Sequence, residues 1–135
     1  MTGSSRRAWL GAALLVGVVY LLIGRLFALP ATHVHGWRLA AWLVSGVAYA
    51  VHIAYEHFKL RNSSRLVALH VALAVAIGAM GLAMTGMIRS LVLGSALRPA
   101  WLLALVLWPA FTAIPAFVCA FLAGAVLARI PRRAE

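Results

Sequence analysis

Four long apolar blocks, separated by short polar segments, set the pattern of the chain. They extend over residues 9–29, 37–58, 66–88 and 100–128. A helix needs about 20 apolar residues to cross the hydrocarbon core of a bilayer, and each block is long enough to do so. Strands of a membrane barrel alternate between apolar and polar positions over about 10 residues, whereas these blocks stay apolar over longer runs. The pattern predicts an all-α fold, an integral membrane four-helix bundle that forms one domain over residues 1–135.

The composition supports a membrane location and excludes a soluble domain. Hydrophobic residues make up 65% of the chain and charged residues 10%, against about 45–50% and roughly 25% in soluble domains. The chain has 12 basic and 2 acidic residues, but the basic ones stand at the edges of the apolar blocks. That distribution is typical of contacts with anionic lipid headgroups. We therefore expect the bilayer and its anionic headgroups as partners, and no nucleic acid.

The distribution of basic residues also predicts the orientation of the bundle. One side carries Arg6, Arg7, Lys59, Arg61, Arg65, Arg129, Arg132 and Arg133, and the other carries Arg25, Arg38, Arg89 and Arg98. Loops on the cytoplasmic side are the richer in Lys and Arg, so we expect both termini in the cytoplasm, in a bacterial inner membrane. The paired arginines near the start resemble a twin-arginine export signal, but no cleavage site follows, and we interpret the first block as an uncleaved span.

Polar residues follow one face of the second predicted helix, and we call them the polar seam. The seam consists of Arg38, Trp42, Ser45, Tyr49, His52 and Glu56. Their spacings alternate between four and three residues, which keeps them on one face of a helix. Polar groups inside a span usually face the bundle interior. The seam predicts either helix packing through interhelical hydrogen bonds or a site for protons or a solute.

The third predicted helix offers a face of small residues to complement the seam. It carries His70, Ala74, Gly78, Gly81 and Thr85 at spacings of three and four residues. Small residues let helix backbones approach closely in a membrane. Because a loop of about seven residues joins the second and third blocks, we expect these two helices to be antiparallel and to pack on each other. Ser63 or Ser64 is expected to cap the third helix.

Counting residues from the loop brings His52 and His70 to a similar depth, with Glu56 one turn closer to the cytoplasm and Cys119 near the same level. Three chemistries fit such a set. Two histidines can hold a haem iron, His, Glu and Cys can bind a metal such as zinc, and a His, Glu and Tyr49 chain can relay protons. No cofactor is the first expectation. Haem or a metal ion is the alternative.

His57 directly follows Glu56 but does not belong to the seam. Successive residues of an α-helix are about 100° apart, so His57 is expected to point away from Glu56. We expect it to reach the membrane interface beside Lys59. The segment from His52 to His57 does not have the spacing of a zinc-peptidase motif.

The four arginines of the outer side come from four different helices. Arg25, Arg38, Arg89 and Arg98 form a ring that could attract an anionic substrate or headgroup. Each also stands where a long side chain can reach the interface by itself, and this second interpretation is the simpler one.

Two prolines lie inside the fourth block, at Pro109 and Pro115. An interior proline removes a backbone hydrogen bond and clashes with the preceding turn. The pair therefore predicts a kinked or interrupted helix near the middle of the membrane. Discontinuous helices at that depth form the binding sites of some transporters, although membrane helices also tolerate proline.

The leading functional hypothesis is a small multi-pass membrane protein that acts through helix packing, as an accessory subunit of a membrane partner or as a homo-oligomer. A second hypothesis is a small-solute or proton-coupled transporter that uses the polar seam. A third is a haem- or quinone-binding redox module. An enzyme is less favoured, because the blocks contain one acidic residue and no paired nucleophile and base.

Overall fold

A computed structural model of the chain describes residues 3–29, 32–94, 96 and 98–129, with the backbone alone for residues 3–8. The described part is helical, without strands. Its helices are α1 Gly3–Leu26, α2 Val34–Ala54, α3 Ser64–Val92 and α4 Pro99–Leu127, and a π-helix at Tyr55–Lys59 continues α2. Each of the four is long and apolar enough to cross a membrane. This confirms the predicted all-helical class and the four helices, which by length and composition suggest a multi-pass membrane protein.

Helix α3 is the central helix of the bundle, because α1 and α4 both pack along it. The start of α1 and the end of α4 lie at the same end of the bundle as the loop between α2 and α3, and we call this the terminal end. Gly124 of α4 lies beside Ser64, the first residue of α3. The opposite end, which we call the far end, holds the other two loops. Arg132 and Arg133, and the side chains of Arg6 and Arg7, lie outside the described residues.

Glycines on both helices allow α1 and α3 to approach closely. A Cβ atom added at Gly78 would lie 2.6 Å from the Cβ of Tyr20 and 3.0 Å from the carbonyl oxygen of Gly17. A Cβ atom added at Gly17 would lie 3.2 Å from the carbonyl oxygen of Ala74. The small face of α3 therefore packs on α1, and the prediction that it packs on α2 is wrong. Helix α1 has a glycine that meets this face, whereas Gly46 of α2 has no atom within 4 Å of its Cβ position.

Helix α2 joins the bundle mainly through its terminal half. Ile53 belongs to a buried apolar cluster with residues of α3 and α4. Toward the far end the side chains of α2 are exposed, with Leu39 66%, Trp42 81% and Leu43 73% accessible. The two halves of α2 thus have different surroundings, and space remains between its far half and the other helices.

Helix α4 is unbroken from Pro99 to Leu127 although it contains Pro109 and Pro115. Of the two predicted forms, kinked or interrupted, the structure excludes the interrupted helix, and the kink stays a prediction. Pro99 occupies the first turn, where its missing N–H removes no intrahelical bond. The Thr112 hydroxyl donates hydrogen bonds to the carbonyls of Trp108 and Pro109, at 3.0 Å each. Such bonds to the preceding turn are usual for a threonine inside a helix, and the carbonyls that lose an N–H donor to the prolines are instead those of Leu105 and Phe111.

Substituting Gly78 with alanine tests the contact between α1 and α3. The added methyl group overlaps Tyr20 and the backbone of Gly17, so Gly78→Ala is expected to lower the free energy of unfolding by about 1–3 kcal/mol. Gly11→Ala is the control, because no atom lies within 4 Å of its Cβ position, and it should leave stability unchanged or raise it by up to about 1 kcal/mol. Thermal unfolding in detergent, followed by circular dichroism, measures both. Equal melting temperatures for the two variants would contradict this packing.

Candidate functional site

A fully buried carboxylate is the centre of the candidate site. Glu56 is 0% exposed, and three side chains approach its two oxygens. The Asn62 amide donates a hydrogen bond to Oε2 at 2.5 Å, and Nδ1 of His70 lies 2.8 Å from the same oxygen. Nε2 of His52 lies 3.6 Å from Oε1. We call His52, Glu56, Asn62 and His70 the Glu56 cluster.

The π-helix and the loop after it bring Asn62 to the carboxylate. The N–H of Leu60 donates to the carbonyl of Tyr55, and the N–H of Asn62 donates to the carbonyl of Glu56, both at 3.2 Å. Arg61 has a φ of 53°, a left-handed conformation that few residues other than glycine adopt. This conformation turns the chain back toward Glu56. Single π turns are frequent at functional sites, and the sequence pattern did not indicate this one.

The ring of His70 is held between the carboxylate and an indole. The rings of Trp9 and His70 are stacked, with centroids 4.2 Å apart and planes 1° apart. An indole face attracts a protonated imidazole, and the stack orients His70 so that its Nδ1 meets Glu56. Sequence reasoning found His70 but missed Trp9 and Asn62. A tryptophan at the start of a span and an asparagine in a loop are both common in membrane proteins, so the sequence indicated neither of them as a site residue.

One side of the cluster retains free hydrogen-bonding capacity. Among the described residues, neither Oε1 of Glu56 nor either ring nitrogen of His52 has a hydrogen-bond partner. These two groups face each other at 3.6 Å, just beyond hydrogen-bond length. A small approach of the two side chains would join them. A proton can therefore pass between Glu56 and His70 along their hydrogen bond. A second hydrogen bond, between Glu56 and His52, would form if the two side chains approached each other.

The other residues of the polar seam have different surroundings. The Tyr49 hydroxyl donates a hydrogen bond to the carbonyl of Ala116 and so ties α2 to α4. Ser45 is half-buried, and Trp42 and Arg38 are exposed. The structure thus brings the terminal part of the seam into the bundle and leaves its far part at the surface.

His57 is buried, at 1% exposure, and its ring lies edge-on to Phe58 with centroids 4.9 Å apart. The expectation that His57 reaches the interface is wrong. That expectation assumed α-helical angles of about 100° per residue, but His57 lies in the π-helix, whose wider turn separates successive side chains by smaller angles.

The candidate metal or haem ligands do not all come together. His52, Glu56 and His70 meet, but Cys119 is exposed and lines a cavity with Tyr49 instead. Within the described ranges, no group of three or more His, Cys, Asp or Glu side chains has the arrangement of a metal site. The geometry of the cluster suits the binding of protons better than that of a metal ion.

The four arginines of the predicted outer ring all lie at the far end. Arg25 is in the last turn of α1, Arg38 near the start of α2 and Arg89 in the last turn of α3, and Arg98 directly precedes α4. All four are exposed. Anion binding by the ring stays a prediction, and the exposure fits side chains that reach the interface singly.

A cavity of about 650 Å³ lies between all four helices. Tyr49 lines it and lies one turn from His52 along α2. Tyr49 is thus the lining residue of the cavity that lies next to the cluster along α2.

Comparison of the chain with protein-family models, with curated proteins and with solved structures finds no match. The chemistry of the cluster and of the cavity beside it is therefore the basis on which a function can be proposed. Both are built from residues of the chain itself.

Asn62 and Ser63 are neighbours that allow the cluster to be tested against helix capping. Ser63 occupies the predicted N-cap position of α3 but its side chain makes no capping hydrogen bond. Ser63→Ala should therefore be nearly neutral, below the 0.5–2 kcal/mol that is roughly typical for loss of a cap. Asn62→Ala removes a donor from a buried carboxylate and is expected to cost about 1.5–3 kcal/mol. Unfolding in detergent measures both, and a larger loss for Ser63→Ala would show that this assignment is wrong.

Proposed function

We propose that the chain is a proton-coupled carrier of small solutes, with the Glu56 cluster as its proton site. The observation that supports this proposal is a fully buried carboxylate between two imidazoles, within a helix apolar enough to cross a membrane. Ionisable groups inside a membrane are costly, and they mark ion pathways and proton relays. Histidine is the side chain that changes charge near neutral pH.

The charges of the cluster explain how it would hold a proton. With both imidazoles neutral, an ionised Glu56 leaves one negative charge in the bundle interior. One added proton, shared among Glu56, His52 and His70, makes the cluster neutral, and burying an uncompensated charge is expensive. Because Oε2 of Glu56 and Nδ1 of His70 lie at hydrogen-bond distance, 2.8 Å, this proton can move directly from one atom to the other.

Tyr49 is the proposed connection between the proton site and the solute. It lines the cavity, its hydroxyl holds α4 through Ala116, and it is one turn from His52 on α2. A solute in the cavity displaces the same helix that holds Glu56. In the orientation that the arginines favour, with both termini in the cytoplasm, the cluster lies on the cytoplasmic side and the cavity reaches toward the outside.

The second candidate is the accessory subunit or homo-oligomer that helix packing favours. It is supported by the far half of α2, where Leu39, Trp42 and Leu43 are exposed. A second membrane helix would cover this apolar face. Light scattering in mild detergent should then show a dimer or a larger assembly that Leu43→Arg dissociates. A monomer for the unmodified chain would leave the carrier as the better candidate.

The sequence contains two acidic residues, Glu56 and Glu135, which gives a matched pair of variants for the proton site. The infrared difference spectrum between acidic and neutral pH is expected to contain the C=O band of a protonated carboxyl group. Glu56→Gln should remove the contribution of the buried group, and Glu135→Gln should keep it. In liposomes that contain a pH-sensitive dye, a pH gradient should drive uptake of a small solute with the unmodified chain and with Glu135→Gln, but not with Glu56→Gln.

The panel of solutes for this flux assay includes neutral apolar, cationic and anionic compounds. Thermal unfolding shows whether Glu56→Gln is still folded, so that lost flux can be assigned to the proton site. Proton-driven flux that is unchanged in a folded Glu56→Gln variant would falsify the proposal.

A further inference from the structure

The cavity of about 650 Å³ has walls from every helix of the bundle. Tyr20 belongs to α1, Ser45 to α2, Val75 to α3 and Phe111 to α4. Small-molecule sites have volumes of roughly 300–1,000 Å³ and are mostly apolar with a few polar groups. This cavity therefore has the size and the lining of a ligand site.

The lining of the cavity determines the charge of a ligand. Every described residue that lines it is uncharged, with no Arg, Lys, Glu or His among them. A charged ligand would lose its hydration and find no opposite charge, which is costly in an apolar interior. The lining therefore favours a neutral ligand.

Aromatic side chains form much of the cavity wall. Tyr20, Trp42, Tyr49, Trp108 and Phe111 all line it. Aromatic rings prefer stacked or edge-to-face contacts with other rings. A ligand with a flat ring makes such contacts, whereas a simple alkyl chain does not.

Ser45 provides a hydroxyl group for a polar atom of the ligand. The Thr112 hydroxyl already donates to Trp108 and Pro109, and the Tyr49 hydroxyl donates to Ala116. The Ser45 hydroxyl, like the more deeply buried hydroxyl of Tyr20, forms no hydrogen bond with another described residue, and Ser45 stands beside the open part of the cavity at Trp42 and Gly46. It can donate to a carbonyl oxygen, and a ligand with one polar atom would satisfy it.

The cavity opens toward the surroundings of the bundle between α2 and α4. Trp42 of α2 is 81% exposed, and Phe111 and Trp108 of α4 are 69% and 55% exposed, although all three line the cavity. In a membrane these surroundings are lipid. A compound dissolved in the bilayer therefore reaches the cavity sideways, and an apolar tail can remain among the lipid chains.

We propose that this cavity binds a neutral, lipid-soluble ring compound with a carbonyl group, whose ring lies among the aromatic walls and whose carbonyl oxygen accepts from Ser45. The proposal names the solute class of the proposed carrier and rests on that function for the transport step. Binding itself does not require a working proton site.

Binding can be measured with a decyl-substituted benzoquinone as the probe, through quenching of tryptophan fluorescence in lipid nanodiscs. Gly46 lines the cavity and has no atom within 4 Å of its Cβ position, so Gly46→Phe fills the cavity with no clash at its Cβ. Gly36, near the start of the same helix, is equally open but lies outside the lining. Saturable quenching should disappear in Gly46→Phe and persist in Gly36→Phe.

Ser45→Ala tests the polar contact and does not depend on the folding of Gly46→Phe. Loss of one hydrogen bond should weaken binding about fivefold. Decylbenzene has the ring and the tail without the carbonyl, and it should compete about fivefold less well than the quinone. A lipophilic cation, tetraphenylphosphonium, should not compete.

Three results would overturn the proposal. The first is quenching in Gly46→Phe that equals that in Gly36→Phe. The second is equal competition by decylbenzene, which would make the cavity a site for lipid chains. The third is competition by the cation at the same concentration as the quinone.

Glu56→Gln distinguishes this inference from the proposed function. This variant should bind the quinone as the unmodified chain does, because Glu56 does not line the cavity. Lost binding together with an intact carboxyl titration would overturn the ligand site alone. Intact binding together with proton flux that does not depend on Glu56 would overturn the proton site alone.

Discussion

A carboxylate that is withdrawn from water must receive hydrogen bonds or positive charge from the protein. Side chains from three segments of the chain approach Glu56, and two of them, Asn62 and His70, form hydrogen bonds with it. His52 lies one turn before it on α2, Asn62 comes from the loop, and His70 comes from α3. These contacts fix the end of α2 against α3. They also account for the backbone between the helices, since the left-handed conformation of Arg61 brings Asn62 back to the carboxylate.

The same contacts explain why an open cavity lies between the helices of the bundle. Helix α2 is held at its terminal half by the Glu56 cluster and by the bond from Tyr49 to Ala116. At the far end the ring of Trp37 lies edge-on to that of Phe27, with centroids 5.7 Å apart, but between these attachments Gly46 has no atom within 4 Å of its Cβ position. A helix that stands away from its neighbours around Gly46 leaves a gap there. The Glu56 cluster and the cavity are therefore two consequences of one arrangement, and both involve α2.

The structural role of the Glu56 cluster is compatible with the proton site that we propose. A hydrogen bond between Glu56 and His70 ties α2 to α3 whether or not the proton ever leaves. Haem binding by two histidines would place a porphyrin between the imidazoles, whereas the Glu56 carboxylate occupies that position between His52 and His70. The geometry thus favours proton chemistry, and measurements of protonation separate it from a purely structural role.

The sequence by itself determined the four apolar helices and the meeting of His52, Glu56 and His70. The length of a block and the spacing of its polar residues are local properties of the sequence. They predict which face of a helix a residue occupies and how deep it lies in the membrane. Only the tertiary structure decided that α3 packs on α1, that Trp9 and Asn62 complete the cluster, that His57 is buried and that a cavity adjoins Tyr49. These features depend on which helix faces meet and on a single π turn. Both result from the packing of distant segments, which no local pattern in the chain records.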